Sequence, residues 1–160
     1  RQAWAPLVPQ FLAQAGYRSY HSGKWHIDGK VLDAGFEKSF NIASPGNYFT
    51  TAGGHVNDVP VKSVQVGDEH YITITTADHA IQCLKDHAAE TPDKPFFQYI
   101  GFHAPHFPLH ALPQDIAKYR DKYLEGWDML REQRYQRQVL MRLVHTNLSV
   151  LEKDVGPPAP

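Results

Sequence analysis

Twice along this chain a segment of helical period gives way to a short β-prone run, and then to a loop that carries histidine. A helix followed by a strand, repeated, predicts α/β architecture with parallel strands. In the first copy Leu7, Phe11, Leu12 and Ala15 recur at helical spacing, and Pro6 suits a first helical turn. Gly16 stops the helix, residues 17–20 read as a strand, and residues 22–26 read as a loop at its carboxyl end. In the second copy residues 76–89 predict a helix, with Ala77, Ile81, Leu84 and Ala88 on one face and Thr75 or Thr76 as its cap. Pro92 and Pro95 end it, and residues 96–100, rich in aromatics, read as a largely buried strand.

Around this pair the chain is less regular. Residues 40–75 hold turn signals at Ser44-Pro45-Gly46-Asn47, Gly53-Gly54 and Asn57-Asp58, with short extended pieces around Val59, Val61, Val64 and Val66. They read as an irregular excursion inside one domain, which 160 residues favour. A short amphipathic helix is expected at 114–123. A longer basic one follows at about 128–144, with Leu130, Tyr135, Val139, Leu140 and Leu143 toward a core. The cations of that helix alternate with Glu132 and glutamines, as a solvated face does.

Composition excludes several classes. With 42% apolar and 21% charged residues the chain is neither disordered nor fibrous. A net charge of −1 gives no global field for nucleic acid or anionic lipid, so no nucleic-acid partner is expected. No apolar run nears the ~18 residues of a membrane span. The single cysteine, Cys83, excludes an internal disulfide, and its place inside a helix reads as buried and inert.

Ligands of open α/β sheets bind beyond the carboxyl ends of the strands. Two loops occupy that position: one carries Lys24 and His26, the other His103, His106 and His110. A fixed cation with two imidazoles suits an anionic ester, the lysine holding charge and the histidines moving protons near neutral pH. The three histidines of the second loop have zinc-like spacing, but Pro105 and Pro108 break the helical face that spacing needs, so no metal ligand is assigned. Trp25 and Phe107 are expected to pack into the core.

The ordered set of short motifs resembles one family. Ala15-Gly16-Tyr17-Arg18 followed by Ser22-Gly23-Lys24-Trp25-His26 is similar to a segment of the type I sulfatases. Asp33-Ala34-Gly35-Phe36-Glu37 resembles the turn after it, and Ala104-Pro105-His106-Phe107-Pro108-Leu109 the family's second histidine loop. Tyr119-Arg120-Asp121-Lys122-Tyr123 with Gly126-Trp127-Asp128 resembles the downstream segment of bacterial arylsulfatase-like members.

The resemblance implies part of an alkaline-phosphatase-like parallel-sheet sandwich, truncated at both ends, and hydrolysis of aryl or carbohydrate sulfate monoesters. It implies that Lys24, His26 and His106 are catalytic, with Lys24, His106 and His103 binding substrate. Lys24 would bridge the sulfate and a formylglycine hydrate, His26 would hydrogen-bond that hydrate and act as base, and His106 would contact the sulfate and the leaving oxygen. The family also uses calcium, and its bacterial members are commonly exported, so a periplasmic or secreted parent is expected.

The departures are equally specific. No Cys or Ser here has the sulfatase nucleophile context, since Cys83 is followed by Leu84-Lys85-Asp86, and the calcium ligands of the family have no match. The closing residues 145–160 fit the family poorly. The chain is therefore expected to be a middle portion of a longer enzyme, inactive alone. Two alternatives stay open. One is a phosphomonoester, phosphodiester or phosphonate hydrolase of the same superfamily; the other is a non-catalytic anion-binding remnant.

Overall fold

The computed structural model describes residues 4–42, 46–64 and 70–150. They form two compact units, residues 1–112 and 113–160.

The first unit runs α1 (Val8–Gln14), β1 (Arg18–Gly23), a 3-10 turn (Leu32–Ala34), β2 (Lys38–Ile42), β3 (Gly54–Val56), β4 (Val59–Pro60), α2 (Ile72–Glu90) and β5 (Phe96–Gly101). The five strands make one sheet in the order β4-β3-β2-β1-β5. β1 is parallel to both β2 and β5, while β3 and β4 add an antiparallel hairpin at one edge. The expected α/β class with parallel strands is thus observed. Part of the expected irregular excursion is that hairpin; Val66 lies outside the described residues.

α1 begins two residues later than Pro6 implied, with Pro9 as its first-turn proline and Leu7 N–H donating to the Gln10 side chain at 2.9 Å. Gly16 follows it at φ +82°, the left-handed position that terminates helices. β1 then runs further than expected: Ser22 and Gly23 belong to the strand, not to the loop. Small polar residues stay in register here because both neighbours hold them, Phe40 and Asn41 on one side and Ile100 and Gly101 on the other.

The buried face of α2 corrects the expectation most sharply. The helix starts at Ile72, and it buries Ile72, Thr76, Ala80, Cys83 and His87. Ile81 and Leu84 are exposed, and the N-cap is Tyr71 without a side-chain cap bond. The reason lies in the sheet beneath. Alternation along β1, β2 and β5 turns Tyr20, Ser22, Lys38 and Gln98 toward α2 beside Phe40 and Ile42, a mixed surface whose polar members take polar partners on the helix. Tyr20 OH donates to His87 Nδ1 at 2.9 Å, and His87 Nε2–H donates to the Lys94 carbonyl at 2.9 Å. Ser22 Oγ meets His79 Nδ1 at 2.7 Å, Gln98 donates to the Ala80 carbonyl at 3.0 Å, and Lys38 pairs with Asp86 at 2.7 Å.

Apolar packing splits between two clusters. Phe40, Ile42, Tyr48 and Ile72 form one, with Tyr71 against it. Val31, Ala34 and Phe36 form the other, with Leu7, Trp25 and Phe97. β5 is not the buried strand its composition implied. It is the edge strand of the described sheet, and Phe96, Tyr99 and Ile100 are all exposed, since no strand covers its outer side.

In the second unit α3 spans Pro113–Ala117 and α4 spans Trp127–Leu140, both shorter than expected. Neither buries a residue, so the expected core face does not form: Leu140 and Leu143 are exposed because no described element of this unit lies against them. What organises this unit is local, a stacked run of Tyr119, Tyr123 and Trp127 and a bond from Tyr135 OH to the Thr146 carbonyl. The expected tail at 145–160 lies largely outside the described residues. No helix among the described residues is long and apolar enough to cross a membrane.

Candidate functional site

β1 and β5 are parallel neighbours, so their carboxyl ends open at the same edge of the sheet. Gly23 pairs with Gly101 there, and Lys24 N–H donates to the Gly101 carbonyl at 2.7 Å. The approach is too close for any side chain. A Cβ on Gly23 would stand 2.1 Å from the Gly101 oxygen, and its φ of +107° is already glycine territory. These two glycines bring the Lys24 loop against the His103 loop.

The backbone around Lys24 is held from several directions. Its carbonyl accepts from His21 Nε2–H at 3.4 Å, and the next amide, Trp25 N–H, donates to Asn41 Oδ1 at 3.1 Å. The Trp25 indole donates to the Gly29 carbonyl and packs edge-on against His21 at 5.3 Å and Phe36 at 5.9 Å. Trp25 is therefore the packed anchor of the loop, as expected, with the half-buried Lys24 on one side of it and the exposed His26 on the other. His26 stands at the rim of an apolar cavity of about 230 Å³ lined by Leu7, Trp25, Phe36, Phe97 and Tyr99.

The second loop gives each histidine a separate duty. His103 is only 5% exposed and donates Nε2–H to the Ile42 carbonyl at 2.6 Å, which leaves Nδ1 as the lone-pair nitrogen, buried and without a hydrogen-bond partner. Burial holds its imidazole below the usual histidine range, and the charges of Lys24 and His106 push the same way against the Ile42 bond. His106 is exposed; its Nδ1–H donates to the Phe107 carbonyl at 2.7 Å, so Nε2 is the nitrogen left for an incoming group. His110 turns away, its Nδ1 accepting from Tyr48 N–H at 3.3 Å and its ring stacked on Phe49. Phe107, expected in the core, is 76% exposed, because His103 and Tyr48 fill the inner side of this loop.

Of the four sequence-derived site residues, Lys24 and His26 lie on the loop after β1 and His103 and His106 on the loop after β5; the two loops meet at Gly23 and Gly101, and His26 lines the apolar cavity. Reading the sequence alone missed Asn41 and Tyr48. Asn41 stands at the carboxyl end of β2, a position the strand-end rule favours, and it holds the Lys24 loop. Tyr48 OH donates to the His106 carbonyl at 2.6 Å, a contact 58 residues apart that no local pattern announces.

Cys83 lies on the buried face of α2, where burial pushes its thiol up to about 11. Its sulfur lies 3.8 Å from His79 Nδ1 on the same helix, and a buried, unactivated thiol followed by Leu84-Lys85-Asp86 does not fit as the precursor of a formylglycine nucleophile. Among the described residues no group of three or more His, Cys, Asp or Glu could hold a metal ion, so the residues present do not fit a calcium site either.

Comparison with known proteins bears on this arrangement. An uncharacterized sulfatase of Schizosaccharomyces pombe is 33% identical over 162 residues, spanning 88% of this chain and 28% of that protein. An arylsulfatase of Klebsiella aerogenes is 27% identical over 158 residues, spanning 88% of this chain and 33% of that protein. The chain thus covers about a third or less of the length of these relatives. Among solved structures, Ps i-CgsB in complex with k-i-k-neocarrahexaose superposes at a TM-score of 0.61, with 21% identity over 74% of this chain and 30% of that one. BT4656 in complex with its substrate D-glucosamine-2-N,6-O-disulfate superposes at 0.54, with 24% identity over 71% and 21%. The fold is the alkaline-phosphatase-like α/β arrangement of these neighbours, over part of each. The sulfatase family model itself runs from residue 1 to residue 151, nearly the whole chain, and the chain belongs to the sulfatase family.

Proposed function

We propose that this chain supplies the anion-gripping and proton-moving portion of a sulfuric ester hydrolase site, for aryl or carbohydrate sulfate monoesters. Lys24 is the fixed cation that balances the sulfate. His106 in its doubly protonated form keeps Nδ1–H on the Phe107 carbonyl and donates the Nε2 proton to the departing ester oxygen, which leaves as an alcohol or phenol rather than as an anion. His26 is the second proton carrier, taking a proton when water or a hydroxyl attacks. His103, a substrate-binding residue by the resemblance, acts through its loop: its Nε2–H ties that loop to the Ile42 carbonyl, while its Nδ1 is buried away from an incoming ligand.

The observation that carries this reading is the joining of the two loops at Gly23 and Gly101, which sets the loop of Lys24 beside the loop of His103 and His106. The substrate class spans what its relatives are called: one is an arylsulfatase, and one solved neighbour is described with a disulfated glucosamine. The calcium and formylglycine that the sulfatase resemblance implies find no fitting residues here, so no step is derived through them. With no activated nucleophile, the 160-residue chain binds the anion without turning it over.

The test uses the purified chain in two assays. Inorganic sulfate, titrated against an isotope-labelled sample, should shift the Lys24 amide and the His106 ring together, and Lys24→Ala should abolish the response. Hydrolysis of 4-nitrophenyl sulfate should stay at the level of Lys24→Ala. Absence of any sulfate response overturns the anion site, and turnover above that control overturns the inactivity.

A further inference from the structure

Tyr48 touches all three histidines of the second loop, His103, His106 and His110. Its hydroxyl donates to the His106 carbonyl at 2.6 Å. Its backbone N–H donates to His110 Nδ1 at 3.3 Å, and its ring meets the rings of His103 and His110 edge-on, at centroid distances of 6.4 and 5.6 Å. From the other side, its carbonyl accepts from Ile72 N–H, the first residue of α2, at 2.8 Å. The side chain is 2% exposed and belongs to the apolar cluster of Phe40, Ile42 and Ile72.

This attachment is independent of the one that holds Lys24. The Lys24 loop hangs on Gly101, His21 and Asn41; the His106 backbone hangs on the Tyr48 hydroxyl and on the turn to His103. A buried phenol is an unusual choice for a core position, since a phenylalanine would fill the same space without a polar atom to satisfy. Its hydroxyl bonds the backbone carbonyl of His106, the residue whose imidazole is proposed above to meet the anion. Fixing that carbonyl fixes how far His106 Nε2 stands from an anion held by Lys24, and proton transfer tolerates little error in such a distance.

We infer that Tyr48 is a positioning residue of the anion site, its hydroxyl setting the reach of His106 toward an oxyanion bound at Lys24. The inference rests on the reading that Lys24 and His106 share one anion. It assigns Tyr48 no contact with substrate; it acts through the His106 backbone alone.

The experiment is a sulfate titration of the isotope-labelled 160-residue chain and of Tyr48→Phe, read at the Lys24 amide and the His106 ring separately. In the wild type both signals follow one binding curve. In Tyr48→Phe the Lys24 amide should still respond, the His106 ring response should shrink, and sulfate should bind about three- to tenfold more weakly, the worth of one net hydrogen bond. In a His106→Ala background Tyr48→Phe should weaken sulfate binding no further. A second reading needs no variant: the resonance of the Tyr48 hydroxyl proton in the wild type should move as sulfate saturates.

A wild type that ignores sulfate overturns the shared-anion reading and this inference with it. A responsive wild type whose Tyr48→Phe variant behaves identically overturns the inference alone. So does an equal loss at Lys24 and His106 with a lowered melting temperature, which marks Tyr48 as a packing residue only. A Tyr48→Phe chain that does not fold leaves the hydroxyl-proton measurement to decide, and a resonance unmoved by saturating sulfate is then the overturning result.

Discussion

Replacing His21 with Phe should make this chain more tolerant of acid. His21 is fully buried on β1, stacked on Tyr99 at 5.4 Å and edge-on to Trp25 and Phe36, and burial pulls its imidazole from 6.5 down to about 4. Bonds to backbone at Lys24 and Phe40 work against that pull without reversing it. Above pH 6.5 neither the folded nor the unfolded chain carries the proton, and this residue adds no pH dependence. Between 6.5 and 4 the unfolded chain takes up the proton and the folded chain does not, so stability falls as pH falls. The gap corresponds to about 3 kcal/mol, reached near pH 4 and constant below it. Urea denaturation from pH 7.5 to 4.5 measures this directly. His70, His79 and His103 are also depressed by burial and act with the same sign, but they are common to both chains. The difference between wild type and His21→Phe isolates His21: the wild type should lose stability faster, by about 1 kcal/mol per pH unit across the window. Parallel profiles would refute the claim that a neutral, sealed imidazole underlies the Lys24 loop.

Three further outcomes follow from the same geometry. Gly23→Ala forces a Cβ against the Gly101 oxygen at a positive φ, and should lower unfolding stability by about 3 kcal/mol or more; a urea midpoint near the wild type contradicts this. Asn41→Ala leaves Trp25 N–H without its acceptor, so that amide should exchange with deuterium faster while the amides of α2 do not; unchanged exchange at Trp25 counts against Asn41 as the anchor. Cys83, buried with its thiol near 11, should resist iodoacetamide at pH 8 until urea unfolds the chain; rapid labelling of the native protein is the contrary result.

The placement of the two candidate loops was legible in the residues because its markers are local. Gly16 stops a helix, Pro95 opens a strand, and histidine follows both β-prone runs, which is enough to put two charged loops at the ends of parallel strands. What stayed hidden depends on partners far away in the chain. The buried face of α2 sets Thr76 and His87 among Ile72, Ala80 and Cys83, so a stripe chosen for apolar residues alone pointed to the wrong side. Ser22 and Gly23 look like loop residues until both neighbouring strands pair with them. Phe96, Tyr99 and Ile100 look like core residues, but they stand on an edge strand. Tyr48 and Asn41 gain their roles only from contacts across the end of the sheet.

The account stands on Lys24 and His106 holding one and the same oxyanion. A double-mutant cycle of sulfate affinity with Lys24→Ala, His106→Ala and the pair measures that directly. Strong coupling, with the double variant little weaker than the worse single one, is the expected result. Losses that simply add, or a single variant that binds sulfate as the wild type does, would mean that the two side chains serve no common anion.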